Sequence, residues 1–253
     1  MSALAILSAL PEEQQGLIEQ LADPVRVDRA GRAFWRGTLQ GQPVVLALSR
    51  VGKVAAATTA TTLIEAFGVT RLVFTGVAGG VGPGVHVGDV VVATEFVQHD
   101  MDASPLFPRY EIPLYGRSRW PCDEALSALL LEATRQGMRG ARGAFFSHPH
   151  EANPQIHTGL IATGDHFVCC AADARQLVAG LSAAGMSPLA VEMEGAAVAQ
   201  VCADYGVPFA AVRTISDRAD DQAHVDFPVF VAKVASPYAR AIIRQLINLL
   251  SLK

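Results

Sequence analysis

Charge is scarce in this chain. Only 17% of the 253 residues are Asp, Glu, Lys or Arg, and the formal balance is -4. No basic stripe exists to neutralise a phosphate backbone, which excludes nucleic acid as a partner. Long hydrophobic runs are missing too, so the sequence predicts no membrane span and no membrane partner. The apolar opening Met1–Leu10 lacks a basic leader and runs into Pro11-Glu12-Glu13, which suits a first buried strand. The four cysteines, Cys122, Cys169, Cys170 and Cys202, show no CxxC spacing, and two are adjacent. That rules against a disulfide framework and predicts reduced thiols in a cytoplasm. His148, His150 and His157 lack the recurrent spacing of a zinc site, so no metal is expected. Gly52-Lys53 lacks the flanking glycine and hydroxyl residue of a triphosphate loop, and no cofactor is implied.

What is present is hydrophobic: 51% of the chain, enough for one large core and a single domain over 1–253. Short apolar runs recur at Leu4–Leu7, Pro43–Ser49, Leu72–Gly76, Val90–Val97, Leu160–Thr163, Leu189–Val191 and Phe209–Ile215. Between several of them lie stretches with helical spacing, at Val54–Phe67, Asp123–Gln136, Asp173–Ala184, Gly195–Tyr205 and Phe227–Leu250. Apolar strands alternating with helices predict an α/β fold, a three-layer α/β/α arrangement around a mixed, largely parallel sheet. Gln98–Pro121 breaks the rhythm with four prolines and several aromatics, and reads as a long irregular loop; His148–His157 is also broken by proline.

Ligands in such sheets sit beyond the carboxyl ends of strands. Acidic residues stand at three of those ends: Glu12 and Glu13, Glu192 and Glu194, and Asp217. Carboxylates at the mouth of a buried sheet are partly desolvated and poised for proton transfer, although each taken singly also suits a helix N-terminus. Three strand ends converging on one crevice is more than capping requires. The run Gly76-Val77-Ala78-Gly79-Gly80-Val81-Gly82-Pro83-Gly84 does not open into a helix, so it is no dinucleotide fingerprint; it predicts a bend where backbone approaches a ligand. Cys169 and Cys170, among apolar neighbours, read as packing residues.

The segments LSALPEE, SRVGKVAAA, TGVAGGVGPGVHVGDVVV, ATGDHFV, AVEMEGAAVAQVC and VRTISDRADDQAH together resemble the successive signatures of bacterial 5′-methylthioadenosine/S-adenosylhomocysteine nucleosidases, within the purine nucleoside phosphorylase superfamily. The resemblance covers nearly the whole chain except Gln98–Pro121. It implies a nucleoside phosphorylase-like fold and hydrolysis of the N-glycosidic bond of 5′-methylthioadenosine or S-adenosylhomocysteine, with 5′-deoxyadenosine as a further substrate. By the same resemblance Glu13 deprotonates the attacking water and Asp217 protonates the purine's five-membered ring. Glu194 grips the ribose hydroxyls above Met193, Phe167 stacks on adenine and the Val168 backbone reads its edge. Ala78 and Gly79 lie along the purine, Arg213 and Ser216 line the water and base side, and Leu10, Val51 and Phe227 hold the 5′ substituent. The resemblance also implies a homodimer with Gln98–Pro121 at the contact.

Two departures stand out. Val77 occupies a position where the family commonly has serine, and only His99 and Asp100 match at the start of Gln98–Pro121. Alternatives from the same scaffold are a phosphorylase, a futalosine-type or other 6-aminopurine nucleoside hydrolase, and an idle adenosine-binding or storage protein. Phosphorolysis would want Gly-Asp-Pro and an arginine after the first strand, where this chain has Pro11-Glu12-Glu13. Asp23-Pro24 with Arg26 comes late, at the far end of the first helix.

Overall fold

A computed structural model describes residues 3–139, 154–219 and 227–252, without the side chains of Phe227 and Pro228. His148 and His150 lie outside the described residues. Strands β1 (Ala3–Ser8), β2 (Ala22–Arg29), β3 (Arg32–Leu39), β4 (Gln42–Leu48), β5 (Val69–Gly80), β6 (Val90–Gln98), β7 (Arg119–Pro121), β8 (Ile156–Thr163), β9 (Ala190–Glu192) and β10 (Phe209–Asp217) form one sheet. Helices α1 (Pro11–Ile18), α2 (Lys53–Phe67), α3 (Glu124–Arg139), α4 (Ala171–Ala183), α5 (Gly195–Tyr205), α6 (Phe227–Phe230) and α7 (Ser236–Ser251) pack around it, with one wider π turn, Val231–Ala235, joining the last two.

The strand order is β10-β6-β8-β9-β5-β1-β4-β3-β2, and β10 also pairs with β5. That extra pairing closes β10, β6, β8, β9 and β5 into a ring, with β1 to β2 as an open wing. The sheet is mixed, as expected, but not largely parallel: antiparallel pairings are as many as parallel ones, because the β2–β3–β4 wing and the short strands β7 and β9 add antiparallel neighbours. Central strands β1, β4, β5 and β10 keep continuous apolar runs because both their faces are covered.

Alternation along each strand sends successive residues to opposite sides. Leu4, Ile6, Val73, Val92 and Val212 meet Leu17 of α1, Leu130 of α3 and Ile242 and Leu246 of α7. Ala5, Leu7, Phe74, Ala93 and Ala211 meet Ala60 and Leu63 of α2 and Ala196 to Ala199 of α5. The alanines let α2 and α5 approach closely.

Three further sequence expectations need correction. The first helix stops at Ile18, and Asp23-Pro24-Arg26 lies in β2, an exposed edge strand without the apolar run that marks the buried strands. The stretch Gln98–Pro121 ends in β7, which pairs with β6, and an Ile112–Arg117 bridge folds it on itself. Trp120 is buried against the α5 side of the core, and the Tyr115 hydroxyl donates to Asp204 at 2.9 Å. Lastly, Gly76 to Gly80 continue β5 as extended strand; the bend comes after them.

Candidate functional site

The carboxyl ends of β1, β4, β5, β9 and β10 open on a cavity of about 330 Å³. Its walls include Leu10 and Val51, the backbone run Val77 to Gly79, His166 to Val168, Glu192 to Glu194, and Ser216 with Asp217. Of the site residues expected from sequence, Leu10, Val51, Ala78, Gly79, Phe167, Val168, Met193, Glu194, Ser216 and Asp217 all face this one space. Phe167 stays 46% exposed at its edge. Glu13 and Arg213 lie beneath the floor, each about 1% exposed. Glu12 points to solvent, and the Phe227 side chain falls outside the described residues.

Asp217 reaches the cavity through an irregularity. In β10 the register with β5 shifts between Ile215, opposite Ala78, and Asp217, opposite Gly79. The extra residue, Ser216, lets two consecutive side chains share the cavity, which regular alternation forbids. The Ser216 hydroxyl donates to Asp217 Oδ2 at 2.7 Å and the Ala219 N–H donates to Oδ1 at 2.7 Å, so the carboxyl plane is fixed.

Glycine makes room for both acids. A Cβ at Gly79 would stand 2.9 Å from Asp217 Oδ1, and one at Gly76 would stand 3.2 Å from Glu13 Oε1. These glycines serve close approach of carboxylates.

Glu13 Oε2 accepts from the N–H groups of Ala9 and Leu10, both at 2.9 Å. Oε1 makes no well-formed hydrogen bond among the described residues, which leaves an oxygen able to take a proton. Burial pushes the Glu13 pKa up to about 7, against the opposing pull of the Leu10 N–H, the Arg213 charge and the Ala9 and Val77 N–H groups. Glu194 accepts from the Gly52 N–H at 2.8 Å. Its pKa rises to about 8, through burial first and the Glu192 charge second.

Glu192 has a different task. It accepts from Arg213 Nη2 at 2.7 Å, from the Gly195 N–H at 2.9 Å and from the Thr163 hydroxyl. It thus caps the start of α5 and neutralises the buried guanidinium, which also lies over the Phe74 ring. Nothing in VEMEG separates the two glutamates by sequence, because the strand ends at Glu192 and the alternation rule ends with it.

Sequence reasoning also missed a polar cluster behind the wall. Lys53 Nζ donates to Asp100 Oδ1 at 2.7 Å and to Gln98 Oε1 at 3.1 Å. Asp100 Oδ2 accepts from the Asp165 N–H at 2.9 Å, and Asp165 Oδ1 accepts from the Lys53 N–H at 2.7 Å. Although burial opposes it, the bonds from Lys53 and Asp165 hold the Asp100 pKa below its usual value. This cluster fixes His166 to Val168 relative to α2, whose Gly52 N–H binds Glu194. His99 packs on Gly164, and burial lowers its pKa.

The family model described as Phosphorylase superfamily matches residues 3–248. The chain belongs to the phosphorylase superfamily. Within it the chain is 37% identical over 232 residues to a 5′-methylthioadenosine/S-adenosylhomocysteine nucleosidase of Anoxybacillus flavithermus, covering 92% of each protein. It is 34% identical over 250 residues to an aminodeoxyfutalosine nucleosidase of Campylobacter jejuni, covering 96% of this chain and 98% of that one. The Neisseria meningitidis 5′-methylthioadenosine/S-adenosylhomocysteine nucleosidase, solved with methylthio-immucillin-A, superposes with a TM-score of 0.84 at 30% identity, covering 98% and 99%. Among the described residues His166 is the one basic side chain lining the cavity, and Val77 supplies no hydroxyl.

Proposed function

We propose that this protein hydrolyses the N-glycosidic bond of 5′-thio-substituted adenosines, 5′-methylthioadenosine and S-adenosylhomocysteine, releasing adenine and the substituted ribose. One observation carries the reading: Glu194 and Asp217 face, and Glu13 underlies, a single nucleoside-sized cavity whose rim carries Phe167.

In this reading Glu13 Oε1 takes a proton from water as the water oxygen bonds to the ribose C1′. The C1′–N9 bond breaks and its electron pair passes to the purine, which receives a proton from Asp217 at its five-membered ring. Protonation makes adenine a neutral leaving group. Glu194 binds the ribose hydroxyls, and Glu13, ionised before it takes the proton, favours positive charge on the sugar as the transition state forms. Phe167 stacks on adenine, the Val168 backbone reads its edge, and Leu10 with Val51 receives the thioether. Arg213 acts from below, through Glu192 and the field it exerts on Glu13.

We further read residues 1–253 as one domain, with the two helix groups as outer layers of an α/β/α arrangement. Exposed Leu106 and Leu114 on the segment before β7 support a homodimer with that segment at the contact, since large apolar side chains seldom stay solvated. The free thiols Cys122 and Cys202, pushed up to about 12 by burial, suit a reducing cytoplasm.

The test is adenine release from 5′-methylthioadenosine by the purified protein in phosphate-free buffer. Strict dependence on inorganic phosphate would convert the reading to phosphorolysis. A second reading, cleavage of aminodeoxyfutalosine, is favoured by the Campylobacter jejuni relative and is decided by comparing kcat/KM on both nucleosides.

A further inference from the structure

Beside the nucleoside cavity lies a second one, of about 480 Å³, between α1 and the β3–β4 end of the sheet. Two short peptide ridges divide them. Leu10 lines the first cavity and Pro11 the second; Val51 lines the first and Arg50 the second. The second space therefore adjoins the first at Leu10–Pro11 and at Arg50–Val51.

Its lining is unlike the first. Arg32 and Arg50 stand on it together with Gln14 and Glu19. Gln14 is only 3% exposed, yet its Nε2 has no hydrogen-bond partner among the described residues, and neither has Arg32 Nε. Arg32 is clamped by its other nitrogens, Nη1 to the Ala30 carbonyl at 2.8 Å and Nη2 to the Ala55 carbonyl at 3.3 Å. Arg50 donates to the Gly31 carbonyl. No ion pair joins either arginine to an acid among the described residues; burial first, and then the charge of Arg50, lower the Arg32 pKa. Two clamped cations, one of them with a buried unanswered donor, beside the buried unanswered amide of Gln14, call for an anion.

The backbone supports the same conclusion. Arg50 has φ 63, the left-handed region where glycine is the natural residue. An arginine held there, next to a residue of the nucleoside cavity, carries conformational strain.

We propose that Arg50, Arg32 and Gln14 form a subsite for the carboxylate at the end of the 5′ substituent, with Glu19 receiving an α-ammonium, so that the chain is built for a zwitterionic amino-acid tail. This rests on the nucleosidase reading and assigns to the same site a preference for S-adenosylhomocysteine over methylthioadenosine.

Three compounds test it: methylthioadenosine, S-adenosylhomocysteine and the analogue of the latter without its amino group. Arg50→Gly, which relieves the backbone and so folds, should raise KM for both carboxylate compounds about tenfold, the effect of losing one charge-assisted contact, and shift that for methylthioadenosine less than about twofold. Glu19→Gln should weaken S-adenosylhomocysteine alone. Equal effects of Arg50→Gly on all three compounds, or none on S-adenosylhomocysteine, overturn the subsite. Calorimetric binding of the same compounds reads the subsite independently of turnover. Binding that distinguishes the variants without adenine release would sink the nucleosidase reading and leave the subsite standing.

Discussion

Arg213 donates to Glu192 at 2.7 Å with both side chains out of water, beneath the floor of the cavity. The Arg213 charge pulls the Glu13 pKa down, but desolvation prevails there. An unpaired arginine at the same place would hold Glu13 ionised and too weak a base near neutral pH.

For Glu13 the consequence is a pH limb. A base must be deprotonated to act, so kcat/KM should climb between about pH 6 and 8, centred on the pKa near 7. Glu13→Gln should lower turnover by about two to four orders of magnitude and abolish the limb. Stability runs the opposite way. The folded pKa lies above the unfolded one, so the contribution is complete below about 4.5 and lost as pH rises through 7. Thermal unfolding across that window should therefore slope less in Glu13→Gln, and identical slopes would remove Glu13 as the source.

Asp217→Asn keeps the shape of a side chain fixed by Ser216 and Ala219 but cannot give up its proton. Turnover should drop by about two to four orders of magnitude while binding of the substrate persists. Full activity in a steady-state assay would take Asp217 out of the chemistry.

At Gly79 an added methyl group would press on Asp217 Oδ1 at 2.9 Å and on Ala219 Cβ at 3.1 Å. Gly79→Ala should cost about tenfold or more in kcat through displacement of the acid. Unchanged kcat would show that the carboxyl position is not critical.

Phe167 is 46% exposed, so its removal costs the fold little. Loss of a base-stacking ring is worth about 1–3 kcal/mol, and Phe167→Ala should raise KM roughly 10- to 100-fold with kcat less affected. Equal KM values in the two proteins would place adenine elsewhere.

Much of the architecture was legible because burial writes itself into sequence. Leu4–Leu7 and Phe209–Ile215 are apolar throughout since both faces of those strands are covered, and the alanines of α2 and α5 record close packing. The exposed strand β2 and the half-buried β3 carry no such pattern, and β7 is three residues long, so none of the three announced itself.

The acids after β1, β9 and β10 were visible as residue types at strand ends; their division of labour was not. Glu192 and Glu194 stand two apart in one motif, yet one caps α5 and pairs with Arg213 while the other faces the cavity and binds the Gly52 N–H. Local order along the chain carries hydrophobic period and turn chemistry, and these alone determined the buried strands, most of the helices and the candidate acids. Charge state, and the meeting of Arg50 with Arg32 or Lys53 with Asp100, depend on distances between segments far apart in the chain, which only the folded sheet decides.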